Sequence, residues 1–132
     1  MCHARPMTAP GMIAYTPAQV VEETGLSIDT LRYYEKVGLL DPVGRDTAGR
    51  RRFTDQHLEQ LSVARCLRES GMPVADVARY AELARAGDHT IHERIELLQE
   101  HRRRVRTQIA SLREQQRYIE RKLAYYETIR QR

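Results

Sequence analysis

The chain has 132 residues, 41% of them apolar and 30% charged, with seven Gly, five Pro, one Phe and no Trp. That size holds one or two small folded units and excludes a large enzyme. With a mean hydropathy of -0.64 and so few large aromatics, a single big core is out of reach, and much apolar surface is left for an elongated or dimeric arrangement. The sequence pI is about 9.3, yet the positive excess sits in the tail: residues 1–100 carry twelve Lys and Arg against fifteen Asp and Glu, residues 101–132 ten against three. Overall basicity therefore says little about where a polyanion would bind. No run approaches the roughly 18 consecutive apolar residues of a membrane span, and the first residues lack the apolar centre of a signal peptide. The expectation is a cytoplasmic protein with no membrane partner. Two cysteines, Cys2 and Cys66, make no disulfide framework and fit a reducing compartment.

Residues 1–13, with Met1, Met7, Met12, Pro6, Pro10 and Gly11, show no periodicity and read as a disordered N-terminal extension. The folded unit is expected from about Ile13. Thr16 is a helix N-cap with Pro17 at the first helical position, and Gly25 ends that short helix. Ser27 caps a second helix, whose buried side is Ile28, Leu31 and then Tyr34 or Glu35, ending at Gly38. Helix, short turn with Gly, helix is the helix-turn-helix pattern. Leu39 to Pro42, the turn residues Gly44, Asp46 and Gly49, and Arg50 to Phe53 then read as two short strands around a tight turn, a wing of about ten residues. Thr54 or Asp55 caps a third helix that runs through Ser70; Pro73 opens a fourth, closed by Gly87.

From Asp88 to Arg132 there is neither Gly nor Pro. Ile91, Leu98, Val105, Leu112, Ile119 and Tyr126 recur every seven residues, and Ile95, Ile109 and Leu123 fill a second series that Arg102 and Gln116 interrupt. The stretch from 91 to 126 makes a helix of about 53 Å at about 1.5 Å per residue. An apolar stripe two residues wide per heptad needs a partner helix, whereas a helix lying on its own domain shows a wider face. The flanking Gln99, Arg106, Arg113 and Glu120, with His101, Gln108, Gln115 and Lys122, settle neither a parallel nor an antiparallel pairing. The predicted architecture is mainly α: a winged helix-turn-helix head over 14–87 with a small β-hairpin wing, then a coiled-coil dimerisation helix over 88–132.

The chemistry of the second helix suits the major groove of duplex DNA, which admits one helix. Ser27 and Thr30 offer short hydroxyls, Arg32 a bidentate fork, and Tyr33 or Tyr34 an uncharged phosphate donor. On the wing, Arg50, Arg51 and Arg52 stand together, strand alternation turning Arg51 opposite to the other two; Arg45 and, at the first cap, Thr16 complete the candidate DNA-binding set. A run of three arginines alone is as readily a solvated surface. Directly after a helix-turn-helix it points to double-stranded DNA.

Tyr15-Thr16, Thr24-Gly25-Leu26-Ser27, Thr30-Leu31-Arg32-Tyr33-Tyr34-Glu35, Gly38-Leu39-Leu40, Gly49, Arg51, Phe53-Thr54 and Leu58, in that order, resemble the N-terminal winged helix-turn-helix of MerR-type transcriptional regulators. The likeness covers about residues 13 to 87, and the long terminal helix resembles the family's antiparallel dimerisation coil. One departure is Arg50, where the family usually has an aromatic residue after the wing glycine. The resemblance implies a homodimer on palindromic promoter DNA, two recognition helices in successive major grooves, and an over-long promoter spacer bent and untwisted so that RNA polymerase engages both its elements. Such distortion costs several kcal/mol by elastic estimates. An effector then shifts the dimer between two DNA-bound shapes.

No cofactor is expected. Metal-sensing members of the family use cysteines at and beyond the long helix, and this chain has none after Cys66. Asp88, His89 and His92 read as solvated or capping groups rather than a metal site; Cys2 and His3 near the amino terminus are a copper-type chelate set aside because the extension that carries them reads as floppy. Cys66 matches the single thiol of a short branch of the family that answers to aldehydes and other electrophiles. Two readings stand: an inert small side chain, or a sensor whose alkylation or oxidation repacks the joint between head and coil. Glu59 and Glu69 beside it disfavour a thiolate, while Arg65 and Arg68 favour it. No nucleophile and base converge as an enzyme would need. The rival to a DNA-binding regulator is an adaptor whose head and coil act through protein contacts alone.

Overall fold

The computed structural model describes residues 14–132, so the expected extension over 1–13, with Cys2 and His3, lies outside the described residues. In chain order the elements are α1 (Pro17–Thr24), α2 (Ile28–Lys36), β1 (Gly44–Arg45), β2 (Arg51–Arg52), α3 (Asp55–Glu69), α4 (Val74–Ala86), a single 3-10 turn (Asp88–Thr90) and α5 (Ile91–Arg130). The helix starts follow the side chains that satisfy their free N–H groups. Thr16 caps α1 in a reciprocal box with Gln19, Ser27 caps α2, and Thr54 caps α3. Gly25 and Gly38 close α1 and α2 with φ of +73° and +88°, a conformation that a side chain would strain.

The chain divides into two compact units, one ending at Leu97 and one comprising Leu98–Arg132. In the first, Val20, Leu31, Tyr34, Leu39, Leu40, Phe53, Leu58, Leu61, Ala64, Met72 and Val77 form a continuous buried core. α1, α2, α3 and α4 each give that core one apolar stripe. β1 and β2 pair antiparallel, Gly44 with Arg52 and Arg45 with Arg51. A further bridge ties Tyr15 to Phe53 through N–H to carbonyl bonds of 2.7 and 2.9 Å. The backbone ahead of α1 is thereby sewn to the end of the wing, a pairing that two isolated residues in sequence do not announce.

Two expectations need correction here. Ile28 is exposed at 44%, although it was placed on the buried side of α2. At 100° per residue it lies some 120° round the helix from Tyr34, so a core centred on Leu31 and Tyr34 leaves it at the rim. Arg50 belongs to the turn rather than to the strand, because β2 begins at Arg51.

At the end of the first unit Thr90 is buried, and its hydroxyl donates to the carbonyls of Leu83 (2.6 Å) and Gly87 (2.8 Å). Arg94 in the first turns of α5 donates to Thr90 Oγ1 and to Gly87 O, both at 3.1 Å. Two side chains thus satisfy the carbonyls that the break between α4 and α5 leaves open. In the second unit α5 runs on without interruption, its apolar side chains exposed, Leu112 and Leu123 at 63%. No described helix is long and apolar enough to cross a membrane.

Candidate nucleic-acid interface

The recognition helix candidate is α2, and its two sides divide cleanly. Leu31 and Tyr34 face the core and are buried. Arg32, Tyr33 and Lys36, with Asp29 among them, fall within a 100° arc on the opposite side and are exposed. Among the described residues neither the Arg32 guanidinium nor the Lys36 ammonium has a side-chain partner. Both therefore meet an incoming anion without breaking an ion pair first. The two candidate tyrosines are separated by the same geometry: Tyr33 presents its ring outward, and Tyr34 belongs to the core, their centroids 6.2 Å apart. Lys36 was not anticipated from the sequence. Continuing the Asp29, Arg32, Tyr33 spacing by one turn would have found it.

At the start of α2, Ser27 Oγ accepts the Thr30 N–H at 3.1 Å and lies 2.9 Å from the Thr30 hydroxyl. These two candidate contacts form one cap, exposed at Ser27, with N–H groups and the positive end of the helix beside them. Thr16 holds the equivalent place on α1, where its hydroxyl accepts from Gln19 N–H at 3.2 Å.

The four wing arginines occupy distinct environments. Arg51 donates to Glu35 of α2 at 2.5 Å, and both side chains are about three-quarters buried. Glu35 also accepts Val43 N–H at 2.8 Å. Arg52 turns the other way, to Asp46 at 3.0 Å, as strand alternation requires. Arg45 donates to Gly49 O at 2.8 Å, across the turn. Arg45 and Arg50 are both exposed, Arg45 held only by that backbone carbonyl and Arg50 by no side-chain partner among the described residues.

Asp46 is the organising acceptor of the wing turn. Its Oδ1 accepts the N–H groups of Ala48 and Arg50, each at 2.9 Å, while its own N–H donates to Arg50 O at 2.8 Å. Gly49 supplies the positive φ, +79°, that closes the turn. The Asp46 carboxyl lies below the ordinary carboxylate range, chiefly because the Arg50 N–H stabilises its anion; partial desolvation opposes this, and Ala48 N–H and the Arg52 guanidinium add to it.

The far end of α2 is held by α4. Arg85 donates to Gly38 O at 3.0 Å and to Asp41 Oδ1 at 3.3 Å, placing a cation at the negative end of the helix. Gln56 and Gln60 of α3 reach the same Asp41, at its carboxylate (3.2 Å) and its N–H (2.9 Å). Cys66, half-buried on α3, is disulfide-bonded.

On this geometry, residues 15–84 match the family model described as MerR HTH family regulatory protein, and residues 58–122 match that described as MerR, DNA binding. An uncharacterized HTH-type transcriptional regulator of Haemophilus influenzae is 45% identical over 115 residues, 87% of this chain and 85% of that protein. The HTH-type transcriptional regulator AdhR of Bacillus subtilis is 35% identical over 88 residues, 67% of this chain and 63% of that protein. Among solved structures, HiNmlR, a MerR family regulator lacking the sensor domain and bound to promoter DNA, superposes with a TM-score of 0.77 at 45% identity, covering 88% of this chain and 92% of that one. A MerR family transcriptional regulator from Listeria monocytogenes gives a TM-score of 0.82 at 32% identity, covering 86% of each chain. The chain accordingly belongs to the MerR family of helix-turn-helix, DNA-binding transcriptional regulators.

Proposed function

We infer that the protein acts as a homodimer on double-stranded promoter DNA, with α2 in the major groove and the wing beside it. The observation that carries this is the division of α2: its inner side chains are locked in the core, and its outer Arg32, Tyr33 and Lys36 are exposed, the two cations unpaired. The proposed contacts are Ser27, Thr30, Arg32, Tyr33 and Lys36 on the helix, Thr16 on α1 and Arg50 on the wing, with Arg45, Arg51 and Arg52 shaping the wing that Arg50 tips. Tyr34, buried, supports this surface from behind.

Pairing through α5 supports the dimer, its seam being Ile91, Ile95, Leu98, Val105, Ile109, Leu112, Ile119, Leu123 and Tyr126. Burying one such side chain is worth about 1.5–3 kcal/mol, which makes a long exposed row costly in a lone chain. Two heads held at a fixed spacing would strain the promoter spacer for RNA polymerase, and HiNmlR, the relative bound to promoter DNA, supports that target. Footprinting on the chain's own upstream promoter tests this: protection of two half-sites one helical turn apart, with a steep salt slope, is expected, and binding equal to that of random duplex overturns it.

For the effector, Cys66 is the proposed group, on the helix that packs against both α1 and α4. Its neighbour Arg65 donates to Thr24 O at the end of α1, so a change at this point of α3 reaches the helix-turn-helix. As a disulfide the sulfur is closed to electrophiles, and reduction must precede alkylation. If Cys66→Ser leaves promoter output under aldehyde challenge unchanged, this assignment fails.

A further inference from the structure

At the N-terminus of α3 the residue that closes the capping box is a histidine. Thr54 N–H donates to His57 Nδ1 at 3.0 Å, and His57 N–H donates to Thr54 Oγ1 at 3.3 Å. In such a box the third helical position is ordinarily Glu or Gln, whose oxygen accepts in every protonation state that matters near neutrality. An imidazole nitrogen accepts only while it carries no proton. The opposite nitrogen, Nε2, lies 3.2 Å from Asp41 O and 3.3 Å from Pro42 O. Both are carbonyls, so Nε2 carries the ring's one proton and donates it there. The ring packs edge-on against Phe53 with centroids 5.7 Å apart, and His57 is buried at 6% exposure.

These contacts put one side chain across both feet of the wing. Asp41 and Pro42 lead into β1; Phe53 and Thr54 lead out of β2. A second proton would have to take Nδ1, where the Thr54 N–H already points and which lies 3.1 Å from Thr54 Oγ1; a proton there would turn to that hydroxyl, and the part-buried Thr54 N–H would lose its acceptor. The charged and titratable groups around the ring are engaged elsewhere. Asp41, on the loop, holds Arg85 of α4. Asp55, on α3 itself, takes the Tyr15 hydroxyl at 2.7 Å. On the β2 side Arg52 is held by Asp46.

We propose that His57 is a positioning residue for the wing: its neutral ring joins the two feet and fixes the hairpin for DNA, and protonation releases the Thr54 foot. This rests on the wing contacting DNA as inferred above. Histidine is the side chain whose charge changes between about pH 5 and 8, so DNA binding becomes proton-sensitive at a site that touches no DNA.

The test compares wild type, His57→Gln and His57→Ala for binding to the upstream promoter duplex at about pH 8 and about pH 5.5 at constant salt. Glutamine restores a non-titrating acceptor; alanine removes it. One lost hydrogen bond in the latch corresponds to about a fivefold fall in affinity. The wild type should weaken by about that factor more on acidification than His57→Gln, and His57→Ala should bind weakly at both pH values. His89, His92 and Asp46 are common to all three proteins and cancel in the comparison. Without DNA, amide hydrogen exchange of the wild type reads the latch directly. Thr16 N–H, bonded to Gln19 Oε1 at 2.8 Å, is an internal reference with a non-titrating acceptor. Protection of Thr54 should fall relative to Thr16 as pH drops. Equal pH dependence in wild type and His57→Gln, or a constant Thr54 to Thr16 ratio, overturns the proposal. Failure of all three proteins to prefer the promoter duplex at about pH 8, with the exchange ratio still falling, counts against the wing as a DNA contact instead.

Discussion

Arg51 of the wing and Glu35 of the recognition helix form an ion pair of 2.5 Å, and the second oxygen of Glu35 accepts Val43 N–H at 2.8 Å. One carboxylate thereby holds both strands of the wing against α2. An arginine that in sequence reads as a DNA contact is engaged here in an ion pair between the wing and α2. Truncation of Arg51 and of Arg50 should therefore differ. Arg51→Ala is expected to cost about 1 kcal/mol of stability, the pair, about a quarter exposed, being discounted for solvent, with a further loss in DNA affinity. Arg50→Ala should leave the melting temperature unchanged and lower affinity with a shallower salt slope. Calorimetry and binding titrations at three salt concentrations separate the two.

Arg32 is exposed and unpaired on the outer side of α2. Arg32→Ala is expected to weaken promoter binding by about 1–3 kcal/mol if it reads a base edge, and to relax preference at one base pair. A uniform loss across sequences would reassign it to phosphate. Melting should not move in either case, because no core contact is removed.

Asp46 sets the acid sensitivity of the wing turn. Its carboxyl lies below the ordinary value because the Arg50 N–H, followed by Ala48 N–H and Arg52, favours the anion. The folded chain binds that proton less tightly than the unfolded chain. The stabilisation is therefore complete above the ordinary carboxylate range and is lost as pH falls through the depressed folded-state value. In Asp46→Asn the amide signals of Ala48 and Arg50 should lose their shift over that range, while the wild type shows it.

Arg85 links α4 to the carbonyl end of α2 through Gly38 and to Asp41 ahead of the wing. Arg85→Gln removes the charge at the helix terminus and is expected to cost about 1 kcal/mol. The loss should be visible as faster amide exchange at the last turn of α2 ahead of other helices. Uniform loosening of the head would contradict this local role.

Leu112 projects from α5 with 63% of its surface exposed in the single chain. Leu112→Arg should leave the helical content of the head intact and weaken self-association more than tenfold, since it removes an apolar side chain that the proposed pairing would bury and puts a charge in its place. Sedimentation at micromolar concentration decides. An unaltered dimer would place the interface elsewhere.

Much of the fold is legible in local chemistry. Thr16, Ser27 and Thr54 announce their helices because capping is settled within three residues, and Gly25 and Gly38 announce the ends because only a residue without Cβ takes that backbone freely. The seven-residue recurrence after Asp88 predicts the uninterrupted α5. The order of helix, turn, helix and basic hairpin is likewise legible, and with it the class of DNA-binding head that the family models match. Which polar groups meet is not written in any short window. Arg51 and Glu35 stand sixteen residues apart, Arg85 and Gly38 forty-seven, and their pairing follows from how α2, the wing and α4 pack on one core. Similar arginines on one hairpin thus come to differ, Arg51 and Arg52 drawn into ion pairs and Arg45 and Arg50 left exposed, because long-range packing decides which charges find an internal partner. The same packing turns a histidine at a capping position into a bridge between the feet of the wing.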